Sequence, residues 1–289
     1  MSAPPVLHAT AQLRDVRLHY VTCGFTDQTT QAVMLLHGWP QSWYEWRHVM
    51  PELAEDHAVI AVDLRGLGDS SKPVAGYDKM TLAADLTELA GQLGLTQIAV
   101  VGHDWGGAVA AALALQQRQL VTHLAMLDIV LPGIPLPGMG DGLGGYWHMQ
   151  FHQVMDLPEA LVTGREETYI RWFFSNFAHN PAAITPDDVT EYVRCLQQPG
   201  ALRSGFGYYR AMGDDAVAFA EAAKTPLVCP VLALGGAQSI GAGVKLCAEQ
   251  FASDVRGGVI ENCGHWIPEE KPAELLAELR GFLSALTYS

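Results

Sequence analysis

The sequence predicts an α/β fold: a mostly parallel sheet with helices on both faces, interrupted by a helical insertion. Three observations carry that expectation. Short continuous apolar runs, which strands buried on both faces require, alternate with longer amphipathic segments. The alternation stops at Leu131 and resumes after Pro226. Between them lie many aromatic residues and few strand signals.

In chain order, Leu13 to Val21 alternates polar and apolar residues and reads as one or two antiparallel strands. Val33 to Leu36 is a buried strand, Trp43 to Leu53 an amphipathic helix, and Ala58 to Leu64 another buried strand. From Thr81 to Leu93, Leu82, Leu86, Leu89 and Leu93 share one helical face. Ile98 to Val101 is a strand, Gly106 to Gln117 a helix and Leu124 to Val130 a strand. Pro132, Pro135 and Pro137, followed by Gly138, Gly140, Gly142, Gly144 and Gly145, mark a hinge or linker. Residues from 146 to about 215, with Trp147, Tyr169, Trp172 and Phe173 among their aromatics, read as helical with an apolar inner face. Val231 to Leu234 and Gly258 to Glu261 are strands, Ala242 to Phe251 and Ala273 to Leu286 helices. The expected division is a core of residues 1–130 and 216–289 and a helical cap of residues 131–215.

Composition narrows the class. The chain has 289 residues, 49% of them hydrophobic and 17% charged, which excludes a disordered or collagen-like chain. Its net charge of −14 is the wrong sign for a phosphate-binding surface, so nucleic acid is not an expected partner. No run of eighteen apolar residues exists, and Val109 to Leu115 is too short to span a bilayer. Met1 to Pro5 lacks the features of a secretory leader. Cys23, Cys195, Cys229, Cys247 and Cys263 are odd in number and scattered, which predicts reduced thiols in a cytoplasmic protein.

The strongest chemical signal is Gly102-His103-Asp104-Trp105-Gly106-Gly107, between a predicted strand and a predicted helix. Small residues flank one polar residue at a sharp turn, the pattern of a nucleophile elbow. The central residue is Asp104, and a carboxylate there can attack a saturated carbon to form an alkyl ester. The bland alternative is an Asp that only caps the helix. His37-Gly38-Trp39-Pro40 follows the strand ending at Leu36. The Trp39 and Trp105 backbone N–H groups are expected to form an oxyanion hole. Asp63 to Ser70 is glycine-spaced but lacks a P-loop's Lys, and reads as a structural loop.

His265 lies beyond the last predicted strand, where the base of the order nucleophile, acid, His belongs. The acid should follow Leu234, but Gly235 to Ile240 contains none. Asp128, at the end of the preceding strand, is the expected acid, with Glu269 or Glu270 as alternatives. In the insertion, His148 and Tyr209 are expected to donate hydrogen bonds to a leaving oxygen. His37, Trp147, Met149 and Tyr208 are expected to line the substrate pocket. Gly140 to Gly145 matches GxGxxG, but it follows prolines rather than a strand, so no dinucleotide is expected. His148 and His152 have metal-ligand spacing without a third ligand, so no metal and no cofactor are expected.

Together these residues resemble the α/β-hydrolase fold superfamily, which implies an eight-stranded, mostly parallel sheet with a helical cap. Asp at the elbow resembles the epoxide hydrolases and the haloalkane and haloacetate dehalogenases. Haloalkane dehalogenases typically have Asn where Trp39 stands. The run His37 to Trp46, the Trp147-His148 pair, Tyr208 to Ala211 and Gly264 to Glu270 look like the branch of fluoroacetate dehalogenases and Cif-like epoxide hydrolases. Fluoroacetate dehalogenases carry Arg one and four residues after the nucleophile, and here Trp105 and Ala108 stand there. They also have Trp where Met149 follows His148. The Cif-like triad acid is typically Glu, where this chain has Asp128. The resemblance implies an epoxide hydrolase acting on a small apolar epoxide and water. The alternative is a haloacid or haloalkane dehalogenase using the same triad. A homodimer is left open.

Overall fold

The computed structural model describes residues 4–136 and 146–284. Eight strands, β1 (Leu7–Gln12), β2 (Arg17–Cys23), β3 (Gln31–Leu36), β4 (Val59–Val62), β5 (Gln97–His103), β6 (Val121–Leu127), β7 (Val231–Gly236) and β8 (Val255–Ile260), form one sheet. Their order is β1-β2-β4-β3-β5-β6-β7-β8. β1 and β2 pair antiparallel, β2 pairs antiparallel with β4, and every later pairing is parallel. The helices are α1 (Met50–Leu53), α2 (Lys79–Gln92), α3 (Trp105–Gln116), α4 (Trp147–Phe151), α5 (Leu157–Val162), α6 (Glu166–Asn176), α7 (Pro186–Leu196), α8 (Ala201–Arg210), α9 (Met212–Ala222), α10 (Gly243–Ala248), α11 (Ile267–Glu270) and α12 (Pro272–Leu283). Helices α4 to α9 all lie between β6 and β7, where the strand rhythm lapses.

Side chains alternate across the sheet, so one apolar run feeds two cores. Met34 and Leu36 of β3 join the face covered by α2 and α3. Val33 and Leu35 join the opposite face with Trp46, Met50, Leu279 and Phe282. Helix α3 is apolar on every side because it lies between the sheet and α9, and all its residues but the last are buried. Thr185 and Asp188 form a capping box that starts α7.

Some boundaries differ from the periodicity. The hairpin begins at Leu7, and Leu13–Val16 is its turn, closed by Leu13 N–H donating to the Val16 carbonyl at 2.9 Å. Trp43–Leu53 is not one helix but a 3₁₀ turn (Trp43–Trp46) and the short α1. Pro51 has no N–H to bond four residues back, which breaks the continuous helix. Met1–Ala3, the Pro137–Gly145 stretch with its GxGxxG match, and the expected helix end at Leu286 lie outside the described residues. No helix among the described residues is long and apolar enough to cross a membrane.

The elbow needs glycine for close approach. A Cβ on Gly106 would collide with the Leu36 and His37 carbonyls, because α3 starts against the end of β3. Gly106→Ala should therefore destabilise the fold by about 1–3 kcal/mol, read as a lowered urea midpoint at unchanged m-value.

Candidate active site

Five loops converge at the carboxyl edge of the parallel strands, where open α/β sheets bind ligands. The β5–α3 turn holds Asp104 at φ 50°, ψ −131°, and Asp128 follows β6 at φ 47°. Backbone of this kind costs about 1–3 kcal/mol per residue and persists where the surroundings enforce it. Both carboxylates are buried.

Asp104 Oδ1 accepts the Trp39 backbone N–H at 2.9 Å. Its Oδ2 lies 3.4 Å from His265 Nε2. Burial alone would raise the Asp104 carboxyl, but the hydrogen bond and charge of His265, helped by the Trp105 backbone N–H, hold it below its ordinary value. His265 Nδ1 donates to Asp128 Oδ2 at 2.6 Å. Ser239 Oγ donates to the same oxygen at 2.6 Å, and the Gly236 N–H donates to Asp128 Oδ1 at 2.9 Å. Burial pushes the His265 imidazolium down, yet the carboxylates on either side outweigh it and raise it to about 10.

A cavity of about 250 Å³ opens over Asp104 and His265, walled by Tyr146, His148, Met149 and Phe177. Exposed Asn176 and Gln238 stand at its edge, and no Lys or Arg among the described residues lines it. A wider cleft of about 450 Å³ at the amino end of β3 is remote from these groups, so size does not mark the site. Tyr209 is buried with its ring edge-on to Trp105 at 5.1 Å and to His148 at 5.9 Å. Burial and the Asp104 charge keep its hydroxyl protonated. Burial lowers His148 to about 4 against the pull of Asp104, so its imidazole is neutral near pH 7.

The structure thus gathers Asp104, Asp128, His265, Trp39, Trp105, His148, Tyr209 and Met149 around one point. Three expected pocket residues are elsewhere. His37 is fully buried, its Nδ1 bonded to the Gly38 carbonyl at 2.9 Å and its Nε2 to the Leu64 N–H at 3.1 Å. Tyr208 turns from the cavity and donates its hydroxyl to the Arg65 carbonyl at 2.8 Å. Adjacent residues on a helix diverge by about 100°, so α8 presents only one of its two tyrosines to Asp104. Trp147 is 48% exposed and lines an outer groove with Trp172. The alternative acids are engaged too. Glu269 binds Arg47 at 2.7 Å and the Tyr192 hydroxyl, and Glu270 accepts only backbone N–H groups.

Other residues at the site carried no motif. Ser239 sits in the loop after β7, which contains no acid, and a hydroxyl there is its only signal in the sequence. His103, inside the elbow, bonds the His265 carbonyl at 2.8 Å and the buried Glu45 at 3.2 Å. Lys79 is fully buried, 4.0 Å over the Trp105 ring, paired with Asp215 of α9 at 2.8 Å. His152 bonds the Tyr169 hydroxyl at 2.6 Å. His19, Asp63 and Asp69 also cluster, but Asp63 is engaged by His19 and by the Trp43 and Asp69 N–H groups, consistent with a structural loop.

Comparison with known proteins agrees with this architecture. The model of the alpha/beta hydrolase fold family matches residues 31–272, and the chain belongs to that family. It is 40% identical to the soluble epoxide hydrolase of Corynebacterium sp. (strain C12), over 97% of this chain and 98% of that one. It is 30% identical to a fluoroacetate dehalogenase of Burkholderia sp., over 88% of this chain and 87% of the relative. Among solved structures, the epoxide hydrolase CorEH without ligand superposes with a TM-score of 0.89 at 40% identity, covering 98% of this chain and all of that one.

The raised His265 links the site to stability. The native state holds this proton more tightly than the unfolded chain, whose imidazole titrates near 6.5. The stabilisation is complete below pH 6.5 and is lost as pH rises through about 10. Melting curves of the His265→Gln variant should therefore fall less between pH 6.5 and 10 than those of the parent.

Proposed function

We propose that the protein is an epoxide hydrolase, opening a small neutral epoxide to a vicinal diol through an ester on Asp104. The observation that carries this reading is one imidazole set between a buried nucleophile-elbow carboxylate and a second carboxylate, beneath a cavity with no Lys or Arg among its described lining residues. Asp104 Oδ2 attacks an epoxide carbon while Oδ1 stays on the Trp39 N–H. The ring C–O bond breaks, and the oxygen takes a proton from Tyr209, with His148 as the second donor.

Ester formation removes the negative charge of Asp104. One of the two carboxylates that raise His265 is then gone, so its pKa falls; the imidazolium passes its proton, by way of water, to the Tyr209 phenolate left by ring opening, and the neutral imidazole becomes available as a base. His265 takes a proton from water as the water attacks the ester carbonyl. The oxyanion sits on the Trp39 and Trp105 N–H groups, and Asp128 steadies the imidazolium. His265 gives that proton to the departing diol oxygen, and the second water proton, left on the Asp104 carboxyl, passes to His265 and restores the resting ion pair. Residues 131–215 act as a cap, in which α4 supplies His148 and α8 supplies Tyr209 beneath an apolar roof. No cofactor takes part in this scheme.

Asp104→Ala should abolish turnover, and Tyr209→Phe should lower kcat/KM by on the order of a hundredfold. His265→Gln, exposed to epoxides, should gain the mass of one whole epoxide and release no diol. A gain matching a haloacetate less hydrogen halide, with no epoxide adduct, would instead make the protein a dehalogenase. That second reading draws on the 30% identity to the Burkholderia enzyme.

A further inference from the structure

The His265 loop and the turn after α6 are fastened by one side chain. Glu270 Oε1 accepts the Gly264 N–H at 3.0 Å and the Trp266 N–H at 3.3 Å, the N–H groups of the two residues on either side of His265. Its Oε2 accepts the His179 and Asn180 N–H groups, both at 2.8 Å. Alongside, the His265 N–H donates to the Phe177 carbonyl at 2.7 Å, while the Phe177 ring walls the cavity. The two strands of chain touch so closely that a Cβ on Gly264 would collide with the Phe177 carbonyl.

We propose that Glu270 is a positioning residue that locks the His265 loop to the Phe177–Asn180 turn, so that ester hydrolysis, but not alkylation, depends on that turn being seated. The inference rests on His265 being the base. A carboxylate suits the task because it offers lone pairs to four donors at once and holds no hydrogen to oppose them. The alkylation machinery meets this lock only through His265, whose imidazole lies 3.4 Å from Asp104 Oδ2. Asp104 Oδ1 stays on the Trp39 N–H, and Tyr209 and His148 sit on α8 and α4, none of which Glu270 bonds. A base displaced by even an ångström loses the water it must deprotonate. The contact also gives the cavity wall a direct line to the base, since displacing Phe177 pulls on the His265 peptide.

Single-turnover mixing with a labelled epoxide, followed by quench and intact mass, separates the two steps. In Glu270→Gln the amide NH₂ faces N–H donors. Its ester hydrolysis should slow on the order of ten- to a hundredfold while alkylation stays within about threefold. At steady state the ester should accumulate, with kcat and KM falling together. Glu270→Asp keeps the charge and both oxygens and should recover much of the rate. Equal losses in both steps would reduce Glu270 to a structural role and overturn the inference, as would unchanged hydrolysis in both variants. If His265→Gln, run alongside, traps no ester, the reading of His265 itself has failed; if it does and Glu270→Gln does not, only the positioning role has.

Discussion

One imidazole between two buried carboxylates is the constraint around which the rest of the structure is arranged. Two like charges this close, out of water, repel each other strongly, and a protonated His265 between them relieves that repulsion. The arrangement demands unusual backbone at both acids, and both have it. It also demands that the imidazole not drift. Asp128 holds the ring, while Phe177, His103 and Glu270 hold the peptide groups around it. Five loops from different parts of the chain meet because parallel strands all end at the same edge.

The helices above add an environment of a different kind. Trp39 and Trp105 of the core meet Tyr209, His152 and Phe173 edge-on, so ring contacts form the roof over the site. His148 and His152, pushed by burial to about 4 and about 2, add polarity to that roof without charge near pH 7. In a chain of net charge −14, the aromatic layer over the site adds no charge of its own near pH 7.

The sheet was legible because buried parallel strands and their helices have different periods, and Val33–Leu36 or Leu82–Leu93 leave little choice. The elbow was legible because tight turns need small residues. What the sequence hid was orientation. Tyr208 and Tyr209 are chemically alike, and only the packing of α8 on Arg65 and Asp104 separates them. The same holds for Trp147 and His148 on α4. His37 stands in a motif beside the site, yet both ring nitrogens serve the backbone. Ser239 bonds a partner 111 residues away and Glu270 bonds partners 90 and 91 residues away, and no local pattern announces such partners.

Lys79 carries a consequence for modularity. Its ammonium lies in the core but is answered from above, by the Asp215 carboxylate of α9 and the Tyr208 carbonyl of α8. Removing the helical segment would strand that cation against Trp105 and bare the fully buried Trp39 neighbourhood at once. The hydrolase core is therefore not an independent unit to which a roof was added. Grafting a foreign insertion between β6 and β7 would succeed only if the graft brought its own anion to Lys79, or if Lys79 were exchanged for an apolar residue in the same step.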